Sequence, residues 1–142
     1  MKILVQILLF AALSVHCLAQ TGNQQQRIME EKIAFFNKEL NLTKTEADKF
    51  WPIYKDYQNR KNRISGEKRT LMQYYMRNAN NMSSQEITET LNKYMNYEKQ
   101  ETDLLLTYNE KFRTVLPDEK VLKIYIAEVK FKDYLLKQLR TR

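Results

Sequence analysis

Apolar residues recur at helical spacing through the centre of the chain. One series follows alternating steps of four and three residues: Ile87, Leu91, Tyr94, Glu98, Glu101, Leu105, Tyr108, Phe112 and Val115. This spacing places side chains on one stripe of an α-helix. Neither Gly nor Pro interrupts the stretch, and such a helix is roughly 45 Å long at about 1.5 Å per residue. A helix of this length needs comparably long partners.

The preceding segment supplies one such partner. Phe50, Tyr57, Ile64 and Leu71 recur every seven residues, a spacing typical of helices that pack along a common seam. The polar residues 78–84 separate the two segments, so the pattern predicts an antiparallel helical hairpin. A turn centred near Asn81 would place three pairs opposite each other: Phe50 with Phe112, Tyr57 with Leu105, and Leu71 with Leu91.

Two acidic residues interrupt the stripe. In the predicted register Arg60 and Lys61 lie opposite Glu101, and Ile64 lies opposite Glu98. One interpretation is a charged layer that fixes the register of the two helices. The other is that both acids lie at the edge of the seam in water, because a buried charge is costly unless it is paired.

Shorter helices are predicted at both ends of the hairpin. Ile28, Ile33, Phe36 and Leu40 share one face of a first helix that ends near Asn41. After the turn, Thr43 and Glu46 have the spacing of a capping box, in which each side chain accepts a hydrogen bond from the other residue's amide. Gly66 lies inside the second helix, where it costs about 1 kcal/mol relative to Ala unless it permits a bend or a close contact.

The final helix starts after Leu116-Pro117 and has two apolar stripes. One stripe contains Leu122, Tyr125, Val129, Leu136 and Leu139. The other contains Val121, Ile124, Phe131 and Leu135. So wide an apolar surface suggests contact with more than one neighbour, for example a second subunit.

Composition agrees with a helical protein. The chain has 142 residues, 43% hydrophobic and 29% charged, with only 2 Gly and 2 Pro. These values indicate one all-α domain. The fold class predicted is therefore a long antiparallel helical hairpin with a short N-terminal helix and a C-terminal helix.

The N-terminus has the pattern of a secretory signal peptide. Lys2 precedes the apolar run of residues 3–15, and Cys17-Leu18-Ala19 precede Gln20. We expect cleavage of residues 1–19, a mature domain of residues 20–142, and a periplasmic location. A lipoprotein processed at Cys17 is less favoured because His16 is large for that processing site. A membrane anchor is less favoured because the apolar run is shorter than the ~20 residues of a span.

Removal of residues 1–19 limits the possible chemistry. It takes away the only Cys and the only His, and leaves 23 basic against 17 acidic residues, a formal net charge of +6. Thiol redox sites, His-dependent nucleophilic sites and the usual zinc ligands are therefore excluded from the mature chain. We expect no cofactor and no resident metal, although a weak carboxylate site stays open.

The basic surplus and the tip of the hairpin suggest a binding surface. In an exported protein, positive charge favours acidic proteins, lipid headgroups or unfolded chains over nucleic acid. Met and Tyr are dense near the turn, and Met side chains suit adaptable binding surfaces. The candidate partner-binding residues are Met72, Tyr75, Met76, Met95, Tyr97, Arg60, Arg63 and Lys68.

The order of these features resembles the Spy/CpxP-like LTxxQ periplasmic proteins. The resemblance rests on the signal peptide, on Leu42-Thr43 with its cap, on the long hairpin and on the Leu116-Pro117 start of the last helix. Glu46 stands where that motif has Gln. Residues 50–54, Phe-Trp-Pro-Ile-Tyr, and 115–121, Val-Leu-Pro-Asp-Glu-Lys-Val, are especially similar to small exported Bacteroidota proteins labelled sensors of ECF-type sigma factors.

The resemblance implies a curved all-helical protein, often an antiparallel dimer, that holds unfolded clients or a signalling partner without ATP. A role in sigma-factor signalling would require a membrane-spanning intermediary. Our leading hypothesis is thus a non-enzymatic envelope-stress protein, either a holdase-like chaperone or a sensor accessory. The alternatives are a structural or regulatory coiled-coil protein without chaperone activity, and a protein that binds lipid surfaces. An enzyme is disfavoured because no glycine loop or strand edge positions a substrate.

Overall fold

The computed structural model describes residues 26–140. Its helices are α1 (residues 26–40), α2 (Lys44–Asn78), α3 (Ser84–Arg113) and α4 (Asp118–Arg140), and the short 3-10 helix η1 (Ala79–Asn81) follows α2. No strand occurs within residues 26–140, and the all-α prediction is confirmed. The predicted signal peptide, residues 1–19, lies outside the described residues.

Both long helices begin with a capping box. The Thr43 hydroxyl accepts from the Glu46 amide at 3.2 Å, and the Glu46 carboxylate accepts from the Thr43 amide at 2.8 Å. The prediction for Thr43 and Glu46 is confirmed. Ser83 and Glu86 form the same arrangement at the start of α3, which the sequence analysis did not anticipate although the Ser-x-x-Glu spacing signals it.

Asn41 ends the first helix. Its φ of 47° places it in the left-handed region, where Asn is one of the residues that commonly terminates a helix. Its amide donates to the carbonyl of Lys38 at 3.3 Å. The predicted end of α1 near Asn41 is confirmed.

The chain divides into two compact units. Unit 1 combines the residues up to Asn41 with those from Lys123 onward, and so joins α1 to most of α4. Phe35 packs against Phe131 with ring centroids 5.4 Å apart. Lys32 donates to both carboxylate oxygens of Glu128, at 3.0 and 2.8 Å.

Unit 2 is the continuous segment Leu42–Leu122. Its core consists of aromatic rings from α2 and α3 in mutual contact: Phe50, Tyr54, Tyr57, Tyr108 and Phe112. Phe50 lies against Phe112 at 5.6 Å, as predicted. Further along α2, Ser65 bonds to Glu101, so α2 and α3 run antiparallel.

The predicted register is otherwise wrong by about one helical turn. Tyr57 packs on Tyr108 at 5.3 Å, and Leu105 is exposed. Leu91, predicted to face Leu71, is exposed as well. The physical reason is η1, which continues the helical path of α2 to Asn81, so the chain reverses later than a turn centred at Asn81 would allow.

Helix α2 contains two residues that disfavour a helix interior, Pro52 and Gly66. The helix continues through Pro52. A Cβ added at Gly66 would have nothing within 4 Å, so this glycine does not serve a close contact. Trp51 is half-buried and meets Phe50 and Tyr54 edge-on at 5.0 and 5.4 Å.

The two apolar stripes of α4 differ in burial. Val121, Ile124 and Phe131 of the second stripe are buried, together with Ala127. Leu122, Val129, Leu136 and Leu139 of the first stripe are exposed. Arg113 reaches across the turn before α4 and donates to Asp118 at 2.9 Å, while Lys120 donates to Glu46 at 2.7 Å.

Candidate binding surface

A charged layer joins α2 to α3 beside the aromatic core of unit 2. The Lys68 ammonium donates to Glu98 at 3.0 Å and to Glu101 at 2.5 Å, and the Ser65 hydroxyl donates to Glu101 at 2.7 Å. Lys68 and Glu101 are largely shielded from water. Glu98 and Glu101 therefore do form a paired charged layer between the helices, but the prediction that Arg60 and Lys61 lie opposite Glu101 is wrong, because the cation is Lys68.

The electrostatics of this layer favour the ionised forms. The hydrogen bond to Glu101 raises the pKa of Lys68, and the bond from Lys68 lowers the pKa of Glu98. Burial opposes ionisation of Glu101, but the bonds from Lys68 and Ser65 outweigh it and lower the pKa of that carboxyl. The Lys68 ammonium therefore already has partners within the protein, Glu98 and Glu101.

Arg60 and Lys61 have partners on their own helix. The Arg60 guanidinium donates to Asp56 at 3.1 Å, and the Lys61 ammonium lies 5.7 Å from the centroid of the Tyr57 ring. The Tyr108 hydroxyl also donates to Asp56. This bond and the one from Arg60 lower the pKa of the Asp56 carboxyl, so the group is a structural acceptor between α2 and α3.

The exposed apolar side chains near the turn form what we call the methionine face: Met72, Met76, Ile87, Leu91 and Met95. Met76, Leu91 and Met95 are 68%, 57% and 56% exposed, and Ile87 is also exposed. Met72 is half-buried. Soluble proteins rarely leave several large apolar side chains exposed together without a functional reason.

Helix geometry places these residues on one side of the pair. Leu71 and Tyr75 are half-buried along the contact with α3, and Tyr94 is half-buried along the contact with α2. Met72, Met76 and Met95 each follow one of these residues by one position. With 3.6 residues per turn, that step rotates the side chain about a quarter turn, and in an antiparallel pair both rotations lead to the same side. Leu91, three residues before Tyr94, is rotated about 60° toward that side, whereas Ile87, seven residues before Tyr94, lies nearly in line with it at the edge of the face.

The other candidate residues lie elsewhere. Tyr75 and Tyr97 are half-buried near the contact between the helices. Arg60 and Arg63 are exposed, but their positions relative to Tyr57 and Ile64 place them on the side opposite the methionine face. The structure therefore brings together Met72, Met76 and Met95, and separates them from the two arginines.

Ile87 and Leu91 are exposed, so the prediction from their spacing that they belong to the core is wrong. The contact with α2 follows a row that includes Tyr94, Tyr97, Leu104 and Tyr108, which are half-buried or buried. Leu105 and Leu106 beside it are exposed. Three consecutive leucines at 104–106 leave the inward position ambiguous in the sequence. The sequence therefore gives no clear indication that Leu91 is exposed.

Two further findings concern metal ligands and membrane spans among the described residues. Within residues 26–140, no group of three or more Asp, Glu, His or Cys side chains is arranged to hold a metal ion. None of the helices in that range has the length and apolarity needed to cross a membrane.

Comparison with protein-family models, with curated proteins and with solved structures finds no match to the chain. The function is therefore inferred from the surface geometry and from the residue chemistry of the described helices.

Proposed function

We propose that the protein is a non-enzymatic protein of the bacterial envelope that holds unfolded protein segments on its methionine face without ATP. The observation that carries this proposal is the joint exposure of Met76, Leu91 and Met95 on one side of the α2–α3 pair. The charged layer around Lys68 fixes the register of the two helices, so the face keeps a defined shape while its side chains stay adaptable.

The chemistry of the face suits varied clients. Met has three rotatable bonds and a polarisable sulfur, and so fits irregular apolar surfaces that a branched residue would not match. Surfaces of this kind bind many sequences weakly rather than one sequence tightly. A holdase requires that behaviour, since its clients share exposed apolar residues and little else.

Positive charge on α2 extends the range of clients. This helix carries nine basic and four acidic residues, whereas α3 carries four basic and six acidic residues. Arg69 is exposed and lies on the same side of α2 as Met72 and Met76. Acidic and apolar segments are therefore the client class that we propose, because long-range attraction speeds their encounter with the helix.

The N-terminal pattern supports export to the periplasm, and the resemblance to Spy/CpxP-like proteins supports a role in envelope stress. In the chaperone version the clients are unfolded envelope proteins. In the sensor version the partner is a membrane-spanning signalling protein. Both versions use the same face and differ in what occupies it.

The test is suppression of aggregation by the mature chain, residues 20–142. Light scattering of dithiothreitol-reduced insulin is followed with increasing amounts of wild type, and we expect suppression near equimolar ratio. The double variant M76E/M95E should lose at least half of that effect, because two carboxylates replace exposed apolar contacts. Tyr74→Glu is the matched control, since Tyr74 is exposed at the same end of α2 on the opposite side.

The same samples distinguish the coiled-coil alternative. Sedimentation gives the mass of wild type and of M76E/M95E at the concentrations used. If wild type is a dimer that the substitutions dissociate, and it suppresses no scattering, the methionine face is an interface between subunits and the holdase proposal is wrong. Equal suppression by wild type and M76E/M95E also contradicts it.

A further inference from the structure

The outer surface of α4 carries a second exposed apolar stripe, within unit 1. Ile126, Val129 and Leu136 are 47%, 63% and 45% exposed. On the opposite side of the same helix, Ile124, Ala127 and Phe131 are buried. The segment is therefore apolar on two sides, and packing against α1 accounts for only one of them.

The exposed stripe has the spacing of a helix-pairing seam. Its positions are Ile126, Val129, Asp133, Leu136 and Arg140, at steps of three, four, three and four residues. Alternation of this kind keeps side chains facing one partner helix over several turns. The stripe thus fits an extended partner helix rather than a small molecule or a single side chain.

The borders of the stripe carry positive charge. Lys130 and Lys137 directly follow Val129 and Leu136 along one border, and Lys132 directly precedes Asp133 on the other. Lys132 is exposed. Lys130 also contacts Glu39 at 2.5 Å, but no acidic residue occupies a border position between 126 and 140. Lys130 already pairs with Glu39 and Lys137 has an interaction within the chain, so the acid that a partner can supply favourably is one opposite Lys132.

A second copy of this helix does not meet that condition. In a parallel pair, each border of one helix faces the opposite border of the other, which sets Lys132 against Lys137. In an antiparallel pair, equivalent borders face each other, which again sets lysines against lysines. Like charges across a helix seam disfavour pairing and select other partners.

Asp133 argues against a lipid surface. Its carboxylate lies in the middle of the apolar stripe, and no residue within 26–140 forms a hydrogen bond or an ion pair with it. Burial of an unpaired carboxylate among acyl chains is unfavourable. A protein helix can supply a basic or amide side chain opposite Asp133, and the pair would then fix the register.

We propose that the outer face of α4 binds an amphipathic helix of another protein, with apolar residues along its seam, acidic residues at its borders and a basic or amide residue opposite Asp133. This binding is independent of the methionine face, because it uses other residues on another helix.

The probe is a fluorescent 21-residue peptide with Leu along its seam, Glu at its border positions and one Lys at the central seam position. Its counterpart carries Lys at the borders. Anisotropy is measured with the mature full chain, and we expect binding of the acidic peptide only. Val129→Glu should weaken that binding by at least about tenfold, whereas Leu106→Glu, an exposed position on α3, should not. Circular dichroism checks that each variant keeps its helices.

Two substitutions test the specificity. The double variant K132E/K137E should weaken binding of the acidic peptide and bind the basic one. Asp133→Asn should remove the preference of wild type for the peptide with a central Lys over one with a central Leu. Together these results would support the proposed borders and register.

Several outcomes would overturn the proposal. They are no binding of the acidic peptide, equal binding of both peptides, or unchanged binding by Val129→Glu. Binding to phosphatidylglycerol vesicles that Val129→Glu abolishes would assign the face to lipid instead. A lower sedimentation mass of Val129→Glu alone would assign it to a second copy of the chain.

Discussion

The ammonium of Lys68 lies 2.5 Å from a carboxylate oxygen of Glu101 and joins α2 to α3 beside the hydrogen bond that Ser65 donates to the same carboxylate. Glu98 accepts from the same ammonium at 3.0 Å. One cation thus holds two acids that would otherwise repel each other within a half-buried layer. The arrangement makes Lys68 the most informative single position for the register of the two helices.

Lys68→Met is expected to lower the free energy of unfolding by about 1–3 kcal/mol, because it leaves Glu101 shielded from water without its cation. Urea unfolding followed by circular dichroism gives this value. Lys99→Met is the matched control. Lys99 pairs with Asp103 on the exposed surface of α3, where such a pair contributes about 0–1 kcal/mol. Equal effects of the two substitutions would contradict the role assigned to Lys68.

Acid should destabilise the protein through its paired carboxylates. Hydrogen bonds from Lys120 and from the Thr43 amide lower the pKa of Glu46 from 4.5 to about 2. Between these values the unfolded chain binds more protons than the folded chain, so stability falls as the pH drops from about 4.5 to 2 and is fully present above that window. The lowered pKa values of Glu98, Glu101 and Asp118 act in the same direction.

The measurement is the urea midpoint as a function of pH for wild type and for Glu46→Gln. We expect the variant to be less stable at pH 7 and to lose less stability between pH 4.5 and 2, because Gln keeps the cap but cannot pair with Lys120. Glu89→Gln, on the exposed side of α3, serves as the control. Identical pH profiles of wild type and Glu46→Gln would show that this pair does not contribute.

Gly66→Ala is expected to stabilise the protein by about 0.5–1 kcal/mol. The added methyl group meets nothing within 4 Å, and Gly66 does not have a positive φ. The gain comes from the lower conformational entropy of the unfolded chain. Thermal unfolding measures it, and a lower midpoint would show that Gly66 has a role in the folded or assembled state that its surroundings do not reveal.

Sequence pattern was sufficient for the fold class and for the local signals. Two of these features, the Thr43–Glu46 cap and the end of α1 at Asn41, depend on residues close in sequence. The contact of Phe50 with Phe112 depends on two bulky aromatic side chains. The register near Lys68 depends on where the chain reverses, and the residues of the 3-10 helix that delays this reversal do not distinguish it from an open turn, because Asn80 and Asn81 are common turn residues.

The candidate surface was predictable only in part. Met72, Met76 and Met95 were recognised by their chemistry and do lie on one side of the helix pair. Arg60 and Arg63 were grouped with them by charge alone, and lie on the other side. The exposure of Ile87 and Leu91 was not predicted, because a helical stripe does not reveal which of two adjacent rows meets the partner helix. Leu105 fits the spacing of one row, and Leu104 fits the spacing of the other equally well.

The division of the chain separates α1 from its partner residues on α4 by the whole of unit 2. Unit 2 is the continuous segment Leu42–Leu122, so its helices can associate as soon as that segment has been made. Helix α1 is made earlier, but its partner residues on α4 are made last. Until then its apolar side chains, Phe35 and Phe36 among them, lack their native neighbours. A chain interrupted before Lys123 would lack the α4 residues against which α1 packs, and exposed apolar side chains of this kind make an intermediate prone to aggregate.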